Sequence, residues 1–106
     1  MSFTGHEGQS ITLTEASTLT ENYRNANDNE TGLILAHFIG INKINLILAQ
    51  EGCVGIRTYY GIDENGKKSI VMVGVDSSEN DLSDGVILDQ AISCPSHCGV
   101  QNSLNN

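Results

Sequence analysis

Basic residues are scarce in this chain. Its 106 residues include five Lys and Arg against thirteen Asp and Glu, a formal net charge of −8. The five cations, Arg24, Lys43, Arg57, Lys67 and Lys68, are scattered along the chain. Binding to a phosphate backbone needs clustered Lys and Arg that release counterions. That argues against nucleic acid as a direct partner, and the same shortage disfavours anionic membrane surfaces. Long apolar runs are also missing. Leu33–Ala36, extended by His37 and Phe38, falls far short of the roughly 20 residues that a membrane-spanning helix requires. Met1-Ser-Phe-Thr-Gly-His-Glu7 has neither the basic start nor the apolar stretch of a secretory signal. The expected location is therefore cytoplasmic, although a mature exported form would read the same way. Three cysteines, an odd number, argue against a disulfide framework. Tryptophan is absent and phenylalanine occurs twice, so any core is built mainly from isoleucine and leucine.

Those apolar residues fall into periodic segments, and the segments define a fold class. Thr12-Leu-Thr-Glu15 has the form of a capping box, in which the threonine hydroxyl accepts from the Glu15 N–H. Leu13, Ala16, Leu19, Tyr23 and Ala26 follow at helical spacing, which predicts a helix over 13–26. Leu33–Ile39 is ambiguous between a strand and a helical turn. Ile41–Gln50 places Ile44, Ile47 and Leu48 on one helical face, with Gly52 suited to the C-terminal cap. Val54–Ile62 alternates as a strand, Asp63-Glu-Asn-Gly66 supplies a turn, and Ser69–Val75 returns. Asp76–Asp84 reads as a polar loop and Val86–Ile92 as a third strand.

The expected architecture is α+β and two-layered: a three-stranded antiparallel meander packed on two helices. Residues 11–93 form the domain, flanked by a polar tail over 1–10 and a cysteine-bearing tail over 94–106. The central strand is apolar on both faces, with Val71, Val73 and Val75 on one side and Ile70 and Met72 on the other. Two short helices cannot cover both sides of a sheet. Either the ends of the chain fold over the second face or another subunit does.

The stretch Gln50-Glu-Gly-Cys-Val-Gly-Ile-Arg-Thr-Tyr-Tyr-Gly-Ile-Asp63, the segment Val73-Gly-Val-Asp76 and the ending Cys94-Pro-Ser-His-Cys98 together resemble a set of small bacterial proteins of unassigned function. The resemblance runs from the first helix to the tail. It implies a real domain and brings no activity with it.

Cys94-Pro-Ser-His-Cys98 is the one local pattern with chemistry of its own. Cys94, His97 and Cys98 can offer two or three ligands to zinc, but a structural site needs four. The two thiols can equally form a small disulfide ring or a redox pair, or be an inert tail, the reading that weighs most. Cys53 with His37 as its base would make a nucleophile, yet nothing places an orienting acid beside His37. A small buried residue at the start of a strand is the better reading of Cys53. Asp76–Asp84 has the composition of a calcium loop and fails its pattern, since Asp81 stands where the glycine belongs. Arg57 and Tyr59 share one face of their strand and form a candidate interface pair, whereas Tyr60 points the other way and is expected in the core.

The expectation from these residues is a non-enzymatic subunit with no cofactor, assembling with copies of itself as a homo-oligomer or filament, or serving as a small protein adaptor. Arg57, Tyr59, Val71, Val73 and Val75 are its expected interface. A zinc- or redox-responsive module on Cys94, His97 and Cys98 is the alternative.

Overall fold

The computed structural model describes residues 2–106; Met1, the first residue of the expected N-terminal tail, lies outside it. The elements run α1 (Leu13–Ala26), β1 (Ala36–Phe38), α2 (Ile41–Leu48), β2 (Gly55–Ile62), β3 (Lys68–Val75), β4 (Ile87–Leu88) and β5 (Ile92–Cys94). The class is α+β, with β2-β3-β4 forming a three-stranded antiparallel meander and β1-β5 a two-stranded sheet. The chain divides into two units, which cut across the expected tail–domain–tail organisation. One holds the residues up to Glu7 with His37–Ile92, the other Gly8–Ala36 with Ser93–Asn106.

The sheet unit is built on the β2–β3 hairpin. Asp63 closes its turn, with Oδ1 accepting the N–H groups of Asn65 and Lys67, both at 2.9 Å. Gly66 takes φ +77°, a conformation that costs glycine nothing and most side chains a steric clash. The strands then pair in a single register from Gly55↔Val75 to Ile62↔Lys68. α2 packs on β2 and β3. Its Ile47 is fully buried, and Gly74 is what allows the approach. A β-carbon at Gly74 would stand 2.8 Å from Gln50 Nε2 and 3.2 Å from Ile47 Cγ2. Gln50 in turn ties the end of α2 to the segment before β4, its Oε1 accepting from the Val86 N–H at 2.8 Å.

The expected third strand over 86–92 is broken. β4 spans only Ile87–Leu88, and Gln90 adopts φ 56° before β5 begins. A non-glycine residue with positive φ ends regular pairing, and no sequence period announces it. The expectation that Tyr60 belongs to the core is also corrected, since it is 78 % exposed. The reason is length. Eight helical residues span about 12 Å, whereas eight strand residues span about 27 Å. α2 covers the Gly74 end of its face and stops short of the end that carries Tyr60 and Ile62.

In the helix unit, α1 occupies the predicted residues with Thr12 as N-cap. The Thr12 hydroxyl accepts from the Glu15 N–H at 3.1 Å, and the Glu15 carboxylate reaches back to that hydroxyl at 3.2 Å. No residue of α1 is buried. Polar bonds position it: Tyr23 OH donates to the Ile34 carbonyl at 2.8 Å, and Arg24 donates to the Leu104 carbonyl at 2.8 Å. The C-terminal segment, expected to be a mobile tail, therefore has a fixed partner. Cys94, buried, is joined to Cys98 by a disulfide with a Cα–Cα separation of 4.8 Å.

Candidate interaction surface on the outer strand

β2 lies at one edge of the meander and carries the chain's densest set of charged and aromatic side chains on a regular element. Because side chains alternate along a strand, Arg57 and Tyr59 share a face, and the register sets Val73 and Val71 opposite them. The loop after β3 folds back onto that face, through a bridge between Val75 and Asp81 and a bond from the Leu82 N–H to the Gly74 carbonyl at 2.8 Å. Asp81 then meets both side chains. Arg57 Nη1 donates to Asp81 Oδ1 at 2.6 Å, and Tyr59 OH donates to Asp81 Oδ2 at 2.5 Å. The Tyr59 hydrogen bond and the Arg57 guanidinium hold the Asp81 carboxyl below the usual carboxylate range. The same Asp81 bond raises the phenol of Tyr59 above its ordinary value and strengthens the hold of Arg57 on its proton.

The N-terminal segment completes this side of the sheet. The Phe3 N–H donates to the Ser77 carbonyl at 2.9 Å, and the Arg57 guanidinium lies 5.8 Å from the centre of the Phe3 ring. Glu7 pins the segment by accepting from the Thr4 and Gly5 N–H groups, and those bonds keep its carboxyl below the usual range, Thr4 foremost. An open cleft of about 470 Å³ is lined by Phe3, Gly5 and Glu7 together with Val54–Thr58 and Val75.

The expected interface is corrected here in part. Val73 and Val75 are only 4 % and 3 % exposed, so the chain buries them itself and they cannot meet a partner. Of the two covers the sequence left open, the chain's own end and its returning loop supply this one. Val71 is half-buried, while Arg57 and Tyr59 stay accessible at the margin. The apolar exposure has moved to the opposite face, at Tyr60 and Ile62, which is 79 % exposed. Lys68 Nζ sits 4.8 Å from the centre of the Tyr60 ring.

The remaining candidates are separated or already engaged. Cys94 and Cys98 are bonded to each other, so in this state neither offers a thiolate to a metal, and His97 Nδ1 faces Ser96 Oγ at 3.5 Å. Among the described residues no group of three metal-ligating side chains converges. Cys53 is half-buried and its thiol donates to the Gly55 carbonyl at 3.2 Å, while His37 Nε2 faces the Lys68 carbonyl at 3.1 Å. In the acidic loop, Asp76 Oδ1 accepts from the Ser78 and Asn80 N–H groups, and Asp81 is spent on Arg57 and Tyr59. Asp81 and Phe3 were missed by sequence reasoning. Neither lies on a periodic element, and only the folded-back loop and end bring them to β2.

No family model, curated protein or solved structure matches this chain. The surface on β2 therefore has to be interpreted from its own chemistry. Among the described residues no helix is long and apolar enough to cross a membrane.

Proposed function

We propose that this chain is a non-enzymatic structural subunit that assembles with copies of itself. One observation carries the reading: Tyr60 and Ile62, large side chains on a regular strand, stand 78 % and 79 % exposed on a face that α2 leaves open. Clustered apolar exposure of this kind marks an interaction surface. The accessible pair Arg57 and Tyr59 belongs to residue types enriched where proteins bind one another. The test is the mass of the native particle by light scattering or native mass spectrometry at micromolar concentration. A mass above one chain is expected; a monomer under all conditions overturns the reading in favour of an adaptor for another protein.

A second reading draws on the C-terminal ring. The Cys94–Cys98 bond favours a redox-responsive element over a zinc site, because a metal would need both sulfurs as thiolates. The bond also bears on location. Disulfides persist in oxidising compartments, which favours an exported chain over the cytoplasmic one expected from the sequence.

A further inference from the structure

Strand β2 is eight residues long and has β3 on one side only. The Asp63 N–H donates to the Lys67 carbonyl at 2.8 Å, which extends the β2–β3 ladder one residue beyond Ile62↔Lys68. In an antiparallel ladder alternate residues bond inward. Asp63, Gly61, Tyr59 and Arg57 therefore direct their backbone groups to β3. Ile56, Thr58, Tyr60 and Ile62 direct theirs outward, where the sheet has no further strand.

Protected edges carry proline, lysine or an inward-pointing charge, or are very short. β2, with the sequence Gly-Ile-Arg-Thr-Tyr-Tyr-Gly-Ile, has neither proline nor lysine and a single charge, Arg57, on the face where Asp81 holds it. The N-terminal segment reaches this edge at Val54, where Gly5 packs against the carbonyl, and its backbone makes no ladder with Ile56, Thr58 or Tyr60.

We infer that β2 pairs edge to edge with β2 of a second copy, antiparallel about a two-fold axis through Thr58. This rests on the self-assembly reading and names the surface that performs it. The choice of partner follows from the strand's own complementarity. Outward groups must meet outward groups, which restricts the axis to a residue and forbids a position between residues. An axis at Arg57 would oppose two like charges, which destabilises a strand pair. At Tyr59 it would set Arg57 against Gly61, which offers no side chain across the seam. At Thr58, by contrast, Arg57 of each copy faces Tyr59 of the other and Ile56 faces Tyr60. The exposed Tyr60 thereby gains an apolar neighbour. The contact is the same patch on both copies, so it closes at two. The far edge of the sheet, the two-residue β4, is too short to extend it.

Two variants test the pairing. Proline at an edge position with an outward N–H removes one donor and leaves the β2–β3 ladder whole. Thr58→Pro is expected to lower the particle to the mass of one chain, 11.4 kDa, with the thermal transition retained. Residues directly opposite each other at a two-fold lie within disulfide reach. In a Cys53→Ser background, Thr58→Cys is therefore expected to give a covalent dimer on mild oxidation, and Tyr59→Cys to give little. This second readout holds even where the proline variant fails to fold. A parent chain that is monomeric overturns both the pairing and the self-assembly reading. An assembled parent with no cross-link at Thr58, or with a folded Thr58→Pro variant of unchanged mass, overturns the edge pairing and leaves self-assembly standing.

Discussion

The sheet unit and the helix unit solve the problem of a small core in different ways. In the sheet unit, apolar burial does the holding: Ile47 is inaccessible, and Val73 and Val75 are nearly so. The helix unit has one buried apolar residue, Cys94, and its long helix α1 has half-buried residues but no buried one. What it has instead is a covalent ring, a capped helix start and bonds from Tyr23 and Arg24 to distant carbonyls. A segment too small to exclude much water gains order from cross-links and polar contacts. The contrast says where each kind of substitution should hurt.

The largest effect is expected in the sheet unit. Ile47→Ala removes the only fully buried large side chain among the described residues and leaves a cavity against Gly74, at a cost of about 2 to 5 kcal/mol. Denaturant titration should show the hairpin amides losing protection, and a loss well under 1 kcal/mol would mean that burial is not what holds this unit. Next comes the ring. Reducing Cys94–Cys98, or replacing both by serine, is expected to cost about 2 kcal/mol for so short a loop. Hydrogen exchange should locate the change at the Leu35 amide, which donates to the Cys94 carbonyl, with the β2–β3 amides unaffected. An equal loss in both units would erase the distinction between them.

The smaller effects probe polar contacts. Thr12→Ala removes the N-cap of α1 and should cost about 1 kcal/mol, visible as lost helical signal and faster exchange near Glu15. The smallest belongs to Asp81. Its carboxyl lies below the ordinary 3.8 in the folded chain, so the stability it adds is present above that value and fades as pH falls through the lowered one. Tyr59 is raised above 10.0, so its contribution is present below that value and fades as pH rises past it. Melting temperatures of Asp81→Asn and the parent should differ slightly at neutral pH and converge in acid. A gap that persists in strong acid would show that the residue acts by shape alone.

The helix α1 was legible to the residue because its signals are local: a capping threonine, a 3.6 period and a polar terminator. The hairpin was equally clear, since strict alternation and an Asn65-Gly66 turn leave few other conformations. The candidate surface was half legible. Alternation puts Arg57 and Tyr59 together on any strand, but the loss of Val73 and Val75 to the interior depended on Phe3 and on the loop that carries Asp81. Neither segment has a period to announce where it will lie.

By itself the sequence determined the acidic charge, the α+β class, the capped helix and the β2–β3 meander, because each follows from neighbours within a few residues. Only the tertiary structure decided which face of the sheet is closed and which side chains remain outside. Those outcomes depend on lengths and long-range returns: a helix of about 12 Å cannot cover a strand of about 27 Å. Tyr60 and Ile62 are left exposed by that difference, and the surface we assign to assembly is its consequence.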